Sequence, residues 1–385
     1  MDKVKILILA KSPDGGVATY INSLLKIRNL ESGSPIEWHI LAIENPKFSV
    51  INSRNYSYLR DFRFKNSYRS LPVSLVQFIK DFVSIYKNIR TLHPKIIIAI
   101  DLYPGLITTL LKTVSLLKTN LILINQASLK DMLETKTNPL LKQFIFILIR
   151  NLYQSANQII STSKYVSRDM TNFFKLPKNK VKTIYNGIDV PKKELIKQHS
   201  PKKSILMIAK FIEPKDQPTL IKAFAIVLKK FPDYRLELIG DGPKKSESEL
   251  LVNKLGILKN VDFLGWKKNV YPYLSRCKIF VLSTKNEGFG YVLAEAMAFK
   301  KPIIATNAPH GPREILDFGK YGLLVEMNNP ERLAKYIVNL ILNTRMYNKF
   351  SIQSGKRHFF FGEELMQKKY QEVFNKCLKV LHNLL

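Results

Sequence analysis

An α/β fold of two parallel-sheet domains is what this chain predicts, and three observations carry that reading. Short aliphatic or β-branched runs alternate with helical patterns along the whole length, the signature of parallel sheets built from strand-helix-strand units. The alternation stops at a polar, proline-punctuated stretch, "NGIDVPKKELIKQHSPKKS" (Asn186 to Ser204), and then restarts. Each half carries a glycine-rich loop directly after a strand, the place where open parallel sheets hold ligands. With 385 residues and 46% hydrophobic content the chain is long enough for two separate cores.

In order, the first half offers the strands "VKILILA", "EWHILAI", "KIIIAID", "NLILIN", "NQIISTS" and "VKTIYN". The second half offers "SILMIAK", "YRLELIG", "VDFLG", "KIFVLST", "KPIIAT" and "GLLVE". These place a first domain over 1–190, a linker over 191–203 and a second domain over 204–360. The last segment, 361–385, has apolar residues at Leu365, Tyr370, Val373, Phe374, Cys377, Leu378 and Leu381, which approximates helical spacing. It closes the chain by packing on one domain or the other. The stretch "NPLLKQFIFILIRNLYQSAN" is interrupted by Lys142 and Arg150 and falls short of the ~20 residues a bilayer span needs, so it reads as a buried helix.

The formal net charge of +31 points to a polyanionic partner or surface, because self-repulsion on that scale otherwise only destabilises the compact state. One local concentration stands out, "SRNYSYLRDFRFKNSYRS". There Arg54, Arg60, Arg63, Lys65 and Arg69 alternate with Tyr56, Tyr58, Phe62, Phe64 and Tyr68 against the single acid Asp61. Cations interleaved with amphipathic rings suit an anionic membrane surface; a solvated edge strand and loop of a basic protein fits the same pattern. Two cysteines, Cys277 and Cys377, cannot supply a disulfide framework, which indicates a reducing, cytoplasmic setting. The opening "MDKVKILILAKSPDGG" has an apolar run too short for a membrane span and breaks into turn residues, so it reads as a first buried strand.

The two glycine loops are "KSPDGGVATYINSLL" and "TKNEGFGYVLAEAM". Glycine permits close backbone approach and exposed helix N–H groups attract anions, so a phosphate ligand is expected, shared across an interdomain cleft. Glu287 and Glu295 flank the second loop eight positions apart. Carboxylates there would repel phosphate, so their targets are neutral hydroxyls of a sugar or ribose, which an ionised acid accepts strongly. The alternative is that Glu287 only favours the helix dipole and Glu295 is a solvated helix residue.

The surrounding motifs weigh against that alternative. "EGFGYVLAEAMAFKKPIIAT" resembles the hallmark of glycosyltransferase family 4, a Glu, seven residues, then Glu, in retaining enzymes of the GT-B fold. "GG" after the first strand, "VKTIYNGID", "IAKFIEPKDQPTLIKAF", "LIGDGP" and "VDFLGW" follow in the family's order, and "APHGPREIL" is similar to bacterial surface-polysaccharide members. The resemblance covers most of the chain. It implies two Rossmann-like domains facing a cleft, an acceptor domain first and a nucleotide-sugar domain second. The implied activity is retaining transfer of a hexose or N-acetylhexosamine from a nucleotide sugar, UDP-linked, to a lipid-linked or polysaccharide acceptor. By the same resemblance Glu295 binds the donor ribose, Glu287 contacts the donor sugar, and Gly288, Phe289 and Gly290 offer backbone groups. Gly15 and Gly16 approach the donor from the other domain, and Lys210 and Lys215 hold the diphosphate. Glu287, Lys215 and Lys210 are thereby the implied catalytic residues. Peripheral attachment to the inner face of the cell membrane is implied as well.

Two departures from the family pattern stand out. Lys210 occupies a position usually held by arginine, keeping charge but losing bidentate geometry. "LILINQASL" lacks the family's N-domain histidine, and Asn125 or Gln126 stands nearby as a hydrogen-bonding group but not as an acid or base. No Asp-x-Asp occurs anywhere, so no divalent metal and no other cofactor is expected. Of the remaining groups, His93 reads as structural, Asp241 as ordering its turn, Trp266 as packing near a base or on a sheet edge, and His310 as either cleft-lining or structural. Nucleic-acid binding is argued against by evenly spread charge without a recognition signature. A dinucleotide-dependent oxidoreductase is argued against because "PDGGVATYI" is not G-x-G-x-x-G.

Overall fold

The structure is a computed structural model that describes residues 3–13, 16–44, 55–60, 75–136, 138–190 and 202–382. Two compact units divide the chain, one of Met1–Gly187 with Glu363–Leu385, the other of Ile188–Gly362. The divisions fall at Gly187 and Gly362, beside the expected boundaries at 190 and 360. Residues 191–201 of the expected linker lie outside the described residues.

The first unit runs β1 (Val4–Ala10), α1 (Gly16–Leu25), β2 (Ile36–Glu44), β3 (Tyr56–Arg60), α2 (Leu75–Leu92), β4 (Ile96–Ile100), α3 (Leu102–Thr113), β5 (Asn120–Asn125), α4 (Leu129–Lys136), α5 (Pro139–Leu152), β6 (Gln158–Ser161), α6 (Lys164–Arg168) and β7 (Val181–Thr183). Its strands form one parallel sheet in the order β3-β2-β1-β4-β5-β6-β7 among the described residues. The strands are apolar on both faces because both faces are covered. Leu7, Leu9, Ile97, Leu121 and Leu123 pack under α2, α3 and α5 through Ile85, Ile89, Ile107, Ile145 and Ile149. Ile6, Ile8, Ile98 and Ile122, of opposite parity, pack under α1 through Tyr20, Ile21 and Leu24.

One of the two alternatives for the basic stretch is seen in part here, and one expectation changes. In the basic, aromatic stretch, the described part, Asn55–Arg60, forms the edge strand β3 in register with β2, Ile40 opposite Tyr56. Arg54, Phe62, Arg63, Phe64, Lys65, Tyr68 and Arg69 lie outside the described residues. The segment read as a buried helix is helical as α5, started by the Asn138 side chain accepting from the Leu141 N–H at 2.7 Å, with Pro139 in the first turn. It is not buried: Ile145 and Ile149 face the sheet, whereas Leu140, Phe144 and Ile147 are exposed. A helix packed on one sheet face covers only one side of itself, and apolar residues all round hide that side from sequence reading.

The second unit runs β8 (Ser204–Ile208), α7 (Gln217–Leu228), β9 (Arg235–Ile239), α8 (Lys245–Lys254), β10 (Val261–Phe263), α9 (Tyr271–Arg276), β11 (Ile279–Leu282), α10 (Tyr291–Ala298), β12 (Ile303–Thr306), α11 (Gly311–Ile315), β13 (Leu323–Val325), α12 (Pro330–Leu342) and α13 (Thr344–His358). Its parallel sheet has the order β10-β9-β8-β11-β12-β13. The last helix, α14 (Glu363–His382), returns to the first unit, where Met366, Tyr370, Val373, Phe374 and Cys377 are buried against α1 and β2. No helix among the described residues is long and apolar enough to cross a membrane.

Candidate active site

In the second sheet β8 lies beside β11, so the connections from these two neighbours leave in opposite directions and open a crevice at their carboxyl ends. The loops that leave there are residues 209–216 after β8 and 283–290 after β11. Both carry residues singled out from the sequence.

The first loop is held by the glycines of "IGDGP". Gly240 has φ +142° and a Cβ there would sit 1.9 Å from the Ala209 carbonyl; Gly242 has φ +150° and would meet the Phe211 carbonyl at 2.5 Å. Only residues without Cβ let this turn lie flat on the end of β8. The Phe211 N–H donates to the Asp241 carbonyl and the Lys244 N–H to the Phe211 carbonyl, both at 2.9 Å. Asp241 thus orders its turn, also accepting from the Gly242 N–H at 2.8 Å. Lys210 projects from this loop as an exposed side chain, its carbonyl accepting from Gln217 Nε2 at 2.9 Å.

Beyond it, a short 3-10 turn over Glu213–Lys215 leads to Asp216, left-handed at φ 44°, which opens α7. Three hydrogen bonds stitch this turn to the second loop. The Lys285 N–H and Thr284 Oγ1 both donate to the Pro214 carbonyl at 2.8 Å, and Ser283 Oγ donates to the Asp216 carbonyl at 2.9 Å. The stitching brings Lys215 to Glu287, with Nζ 2.5 Å from Oε2 and each side chain about a fifth exposed, 18% and 19%. At that burial the pair is screened less than a surface ion pair.

Glu287 is fixed from its other side too. Its backbone bridges to His310, and its carbonyl accepts from the Gly311 N–H at 2.9 Å. A Cβ on Gly311 would meet the Phe289 carbonyl at 2.4 Å, so the glycine of "APHGPREIL" allows the two loops to touch. His310 is therefore a buried part of the wall behind Glu287, with φ +74°. Gly290, left-handed at φ +91°, starts α10. Phe289 is buried, its ring edge-on to Tyr291 at 5.3 Å and to Phe361 at 5.6 Å, and its side chain anchors the loop.

Glu295 stands in the second turn of α10. Burial pushes its carboxyl up to about 7, so the charged and neutral forms are close to balance at neutral pH. Tyr291 is buried nearby, its hydroxyl raised by burial and then by the charge of Glu295, with no hydrogen-bond partner among the described residues. Trp266 is 72% exposed.

The first unit presents a different set. Gly15 lies outside the described residues; Gly16 is exposed and opens α1. Asn125 ends β5, donating through Nδ2 to Met170 Sδ at 3.5 Å while Oδ1 lacks a partner among the described residues. The Gln126 Nε2 is likewise buried without one. Beside them stands a group sequence reading missed. Asp101 ends β4 with φ +68°, accepts from the Gln126 N–H at 3.4 Å, and is raised by burial to about 6. The available signal was an acid placed directly after the all-apolar strand "IIIAI".

The structure thus unites Lys215, Glu287, Gly290 and Glu295 in one unit, with Lys210 on the adjoining loop. No group of three or more His, Cys, Asp or Glu suited to a metal ion occurs among the described residues. Family models match both halves: "Glycosyltransferase Family 4" takes residues 41–192 and "Glycosyl transferases group 1" residues 191–357. Together the two matches run from 41 to 357, and the chain is of the family-4 glycosyltransferase type. Among curated glycosyltransferases it is 27% identical over 245 residues to the Campylobacter jejuni N-acetylgalactosamine-N,N'-diacetylbacillosaminyl-diphospho-undecaprenol 4-alpha-N-acetylgalactosaminyltransferase, covering 62% of this chain and 65% of that protein. It is 29% identical over 217 residues to an uncharacterized glycosyltransferase of Methanocaldococcus jannaschii, covering 50% and 53%. The match therefore spans between half and two thirds of these relatives' lengths. The fold matches that of Anabaena HepE, solved in complex with UDP, with a TM-score of 0.78 at 18% identity over 97% of this chain and 100% of the other. The GT-B fold is thereby established.

Proposed function

We propose that this glycosyltransferase moves a hexose or N-acetylhexosamine, with retention of configuration, from a UDP-linked donor to a lipid-linked or polysaccharide acceptor. The product belongs to cell-surface glycan, and the enzyme works at the inner face of the cell membrane without a divalent metal. One observation carries the reading: Lys215, Glu287 and Glu295 grouped around the Gly290 turn at the crevice of the second sheet, in a family-4 chain. The relatives support its finer parts. The Campylobacter protein is named for transfer of N-acetylgalactosamine onto a diphospho-undecaprenol acceptor, and HepE was crystallised with UDP.

The chemistry follows from the groups. Lys215 and Lys210 supply positive charge to the diphosphate, and the backbone N–H groups leading into α10 add to it. Glu295, when ionised, accepts from the ribose hydroxyls, and Glu287 accepts from the donor sugar. As the bond from the anomeric carbon to the phosphate oxygen breaks, negative charge accumulates on the leaving diphosphate, where the lysines stabilise it. The acceptor oxygen bonds to the anomeric carbon on the same face, and its proton passes to the departing phosphate. Neither Asn125 nor Gln126 can take that proton.

A thermal-shift panel tests the reading with UDP-sugars, NAD and duplex DNA, followed by turnover with any sugar that binds. A ligand at 100 times its dissociation constant stabilises by about 2.7 kcal/mol. Stabilisation by one or more UDP-sugars alone, with sugar transfer, is expected. Stabilisation by NAD or DNA and by no nucleotide sugar overturns it.

A further inference from the structure

We infer that the outer faces of α2 and α5 form a docking surface for an anionic lipid bilayer. Both helices pack on the same face of the first sheet, through Ile85 and Ile89 of α2 and Ile145 and Ile149 of α5, with α3 in the same layer. Their outward sides therefore point away from the sheet in a common direction. On α2 that side carries Leu75, Val76, Ile79 and Val83, from 75% exposed at Leu75 to 42% at Val83. On α5 it carries Leu140, Phe144 and Ile147, from 83% exposed at Leu140 to 47% at Ile147. The spacing is that of one helical face in both helices.

Charge selects the occupant. On α2 exposed Lys80 sits among the apolar residues and exposed Lys87 and Arg90 follow them, and Arg150 follows them along α5. No acid offsets them. Asp81, the one acid of α2, is turned inward and accepts from the Tyr103 hydroxyl at 2.7 Å and from Gln77 Nε2 at 2.9 Å, and α5 contains no acid. Apolar residues with only cations at their margin fit the boundary between headgroups and acyl chains of an anionic bilayer, whereas a neutral protein partner would leave the cations unmatched. Exposed apolar stripes of this extent on a chain of net charge +31 are otherwise a solubility liability.

Topology places the surface where it is useful. A helix that joins two parallel strands runs antiparallel to them, so the N-terminal halves of α2 and α5 lie toward the carboxyl ends of the strands. On α2 the apolar residues occupy that half, and on α5 Leu140 and Phe144 do, with Ile147 one turn further on. The bilayer would thus meet the first unit near the edge that carries Gly16, Asp101 and Gln126. The inference deepens the proposed membrane-borne acceptor by naming the contact, although lipid binding itself is measurable without any sugar transfer.

The test is co-sedimentation of the full chain with vesicles of phosphatidylglycerol and phosphatidylcholine and with phosphatidylcholine alone. Three variants accompany the wild type: a triple Val76→Ser, Ile79→Ser, Val83→Ser; a double Phe144→Ser, Ile147→Ser; and a double Arg63→Glu, Arg69→Glu in the separate basic stretch. The substituted helix side chains are exposed, and an unchanged melting temperature and unchanged hydrogen-exchange protection of β1, β4 and β5 verify that each variant folds. Wild type binding to anionic vesicles at least tenfold better than to neutral ones is expected, with at least a tenfold loss in each helix variant. Equal binding to both vesicle types, or helix variants that bind like wild type while the arginine variant does not, overturns it. So does a concentration-dependent dimer of the wild type that the helix variants abolish, because the face then pairs two copies.

Discussion

Burial at Glu295 puts a proton equilibrium into the proposed donor site. With its carboxyl raised from 4.5 to about 7, the folded protein holds the proton through the range where an ordinary glutamate has lost it. Hydroxyls of a ribose donate best to the ionised form, so donor affinity is expected to rise from pH 6 to pH 8, approaching tenfold per pH unit on the acid side. The sign for stability is opposite. A raised acid favours the folded state fully below about 4.5 and loses that contribution as the pH climbs through 7. Glu295→Gln should therefore melt higher than wild type at pH 8, while its affinity for a UDP-sugar is lower and flat with pH. Calorimetric titration across this range decides it, and an unchanged slope in the variant sinks the role. Lys215 supports a second expectation. Its Nζ is 2.5 Å from Glu287, so a diphosphate that recruits the lysine competes with the carboxylate and frees it for the sugar. Lys215→Ala should lose transition-state stabilisation on the order of 3 kcal/mol, the scale of one preorganised donor. Wild-type turnover should meanwhile survive EDTA. Activity abolished by EDTA and restored by magnesium, in a chain where Lys215→Ala is harmless, defeats the metal-free mechanism. Both residues are visible in the sequence, yet their pairing is not, because 72 positions separate them and the backbone stitches that join them are non-local.

The strands were legible for one reason, which also explains the exception. Among the described strands β4, β5, β8, β11 and β12 are runs buried at every position, and burial on both faces leaves a nearly unbroken aliphatic signal. β3 is an edge strand of "YSYLR", half in solvent, so its sequence carries no comparable run. Asp101 escaped notice because its left-handed backbone and burial arise from packing at the end of β4, which no local pattern records. His310 was ambiguous for a similar reason, as its place behind Glu287 depends on Gly311 in one loop meeting Phe289 in another. The glycine contacts give a direct test at this scale. Gly240→Ala would put a methyl group 1.9 Å from the Ala209 carbonyl, and no rotamer relieves a clash of backbone with Cβ. Gly256, left-handed at φ +68°, has open space around its Cβ position, so Gly256→Ala meets only the left-handed penalty of about 1 kcal/mol. Chemical denaturation should show Gly240→Ala costing about 3 kcal/mol or more, together with loss of UDP-sugar binding through the displaced Lys210 loop. Two variants of equal stability contradict the close approach.

The chain crosses between its two units at Gly187 and again at Gly362, and the second crossing makes the first unit depend on residues that follow the whole of the second. Sequence spacing showed α14 as an amphipathic helix but not its destination, because apolar periodicity marks a face without naming what covers it. Its destination is written in contacts with α1, β2 and β5. Phe374 packs edge-on to Trp38 at 6.0 Å, Tyr370 hydrogen-bonds Tyr20 between hydroxyls, and Asn120 Nδ2 donates to the Cys377 carbonyl at 2.9 Å. At the junction the Gly187 N–H meets Met366 Sδ at 2.9 Å, and a Cβ on Gly187 would collide with Glu363 Cα at 2.7 Å. The five side chains Met366, Tyr370, Val373, Phe374 and Cys377 are each at most 5% exposed. At roughly 1.5 to 3 kcal/mol per fully buried apolar side chain, their removal costs on the order of 10 kcal/mol as an upper estimate, comparable with the ~5 to 15 kcal/mol that holds a whole domain folded. Ending the chain at Gly362 should therefore unfold the first unit and spare the second, whose β8–β13 sheet draws nothing from α14. Hydrogen exchange resolved by peptide tests this: amides of β1, β4 and β5 should lose protection in the truncated chain while those of β8, β9 and β11 keep it. The proposed UDP binding, assigned to groups of the second unit, should then outlast the loss of sugar transfer. If both sheets stay equally protected, or both collapse together, α14 is not the element that completes the first core.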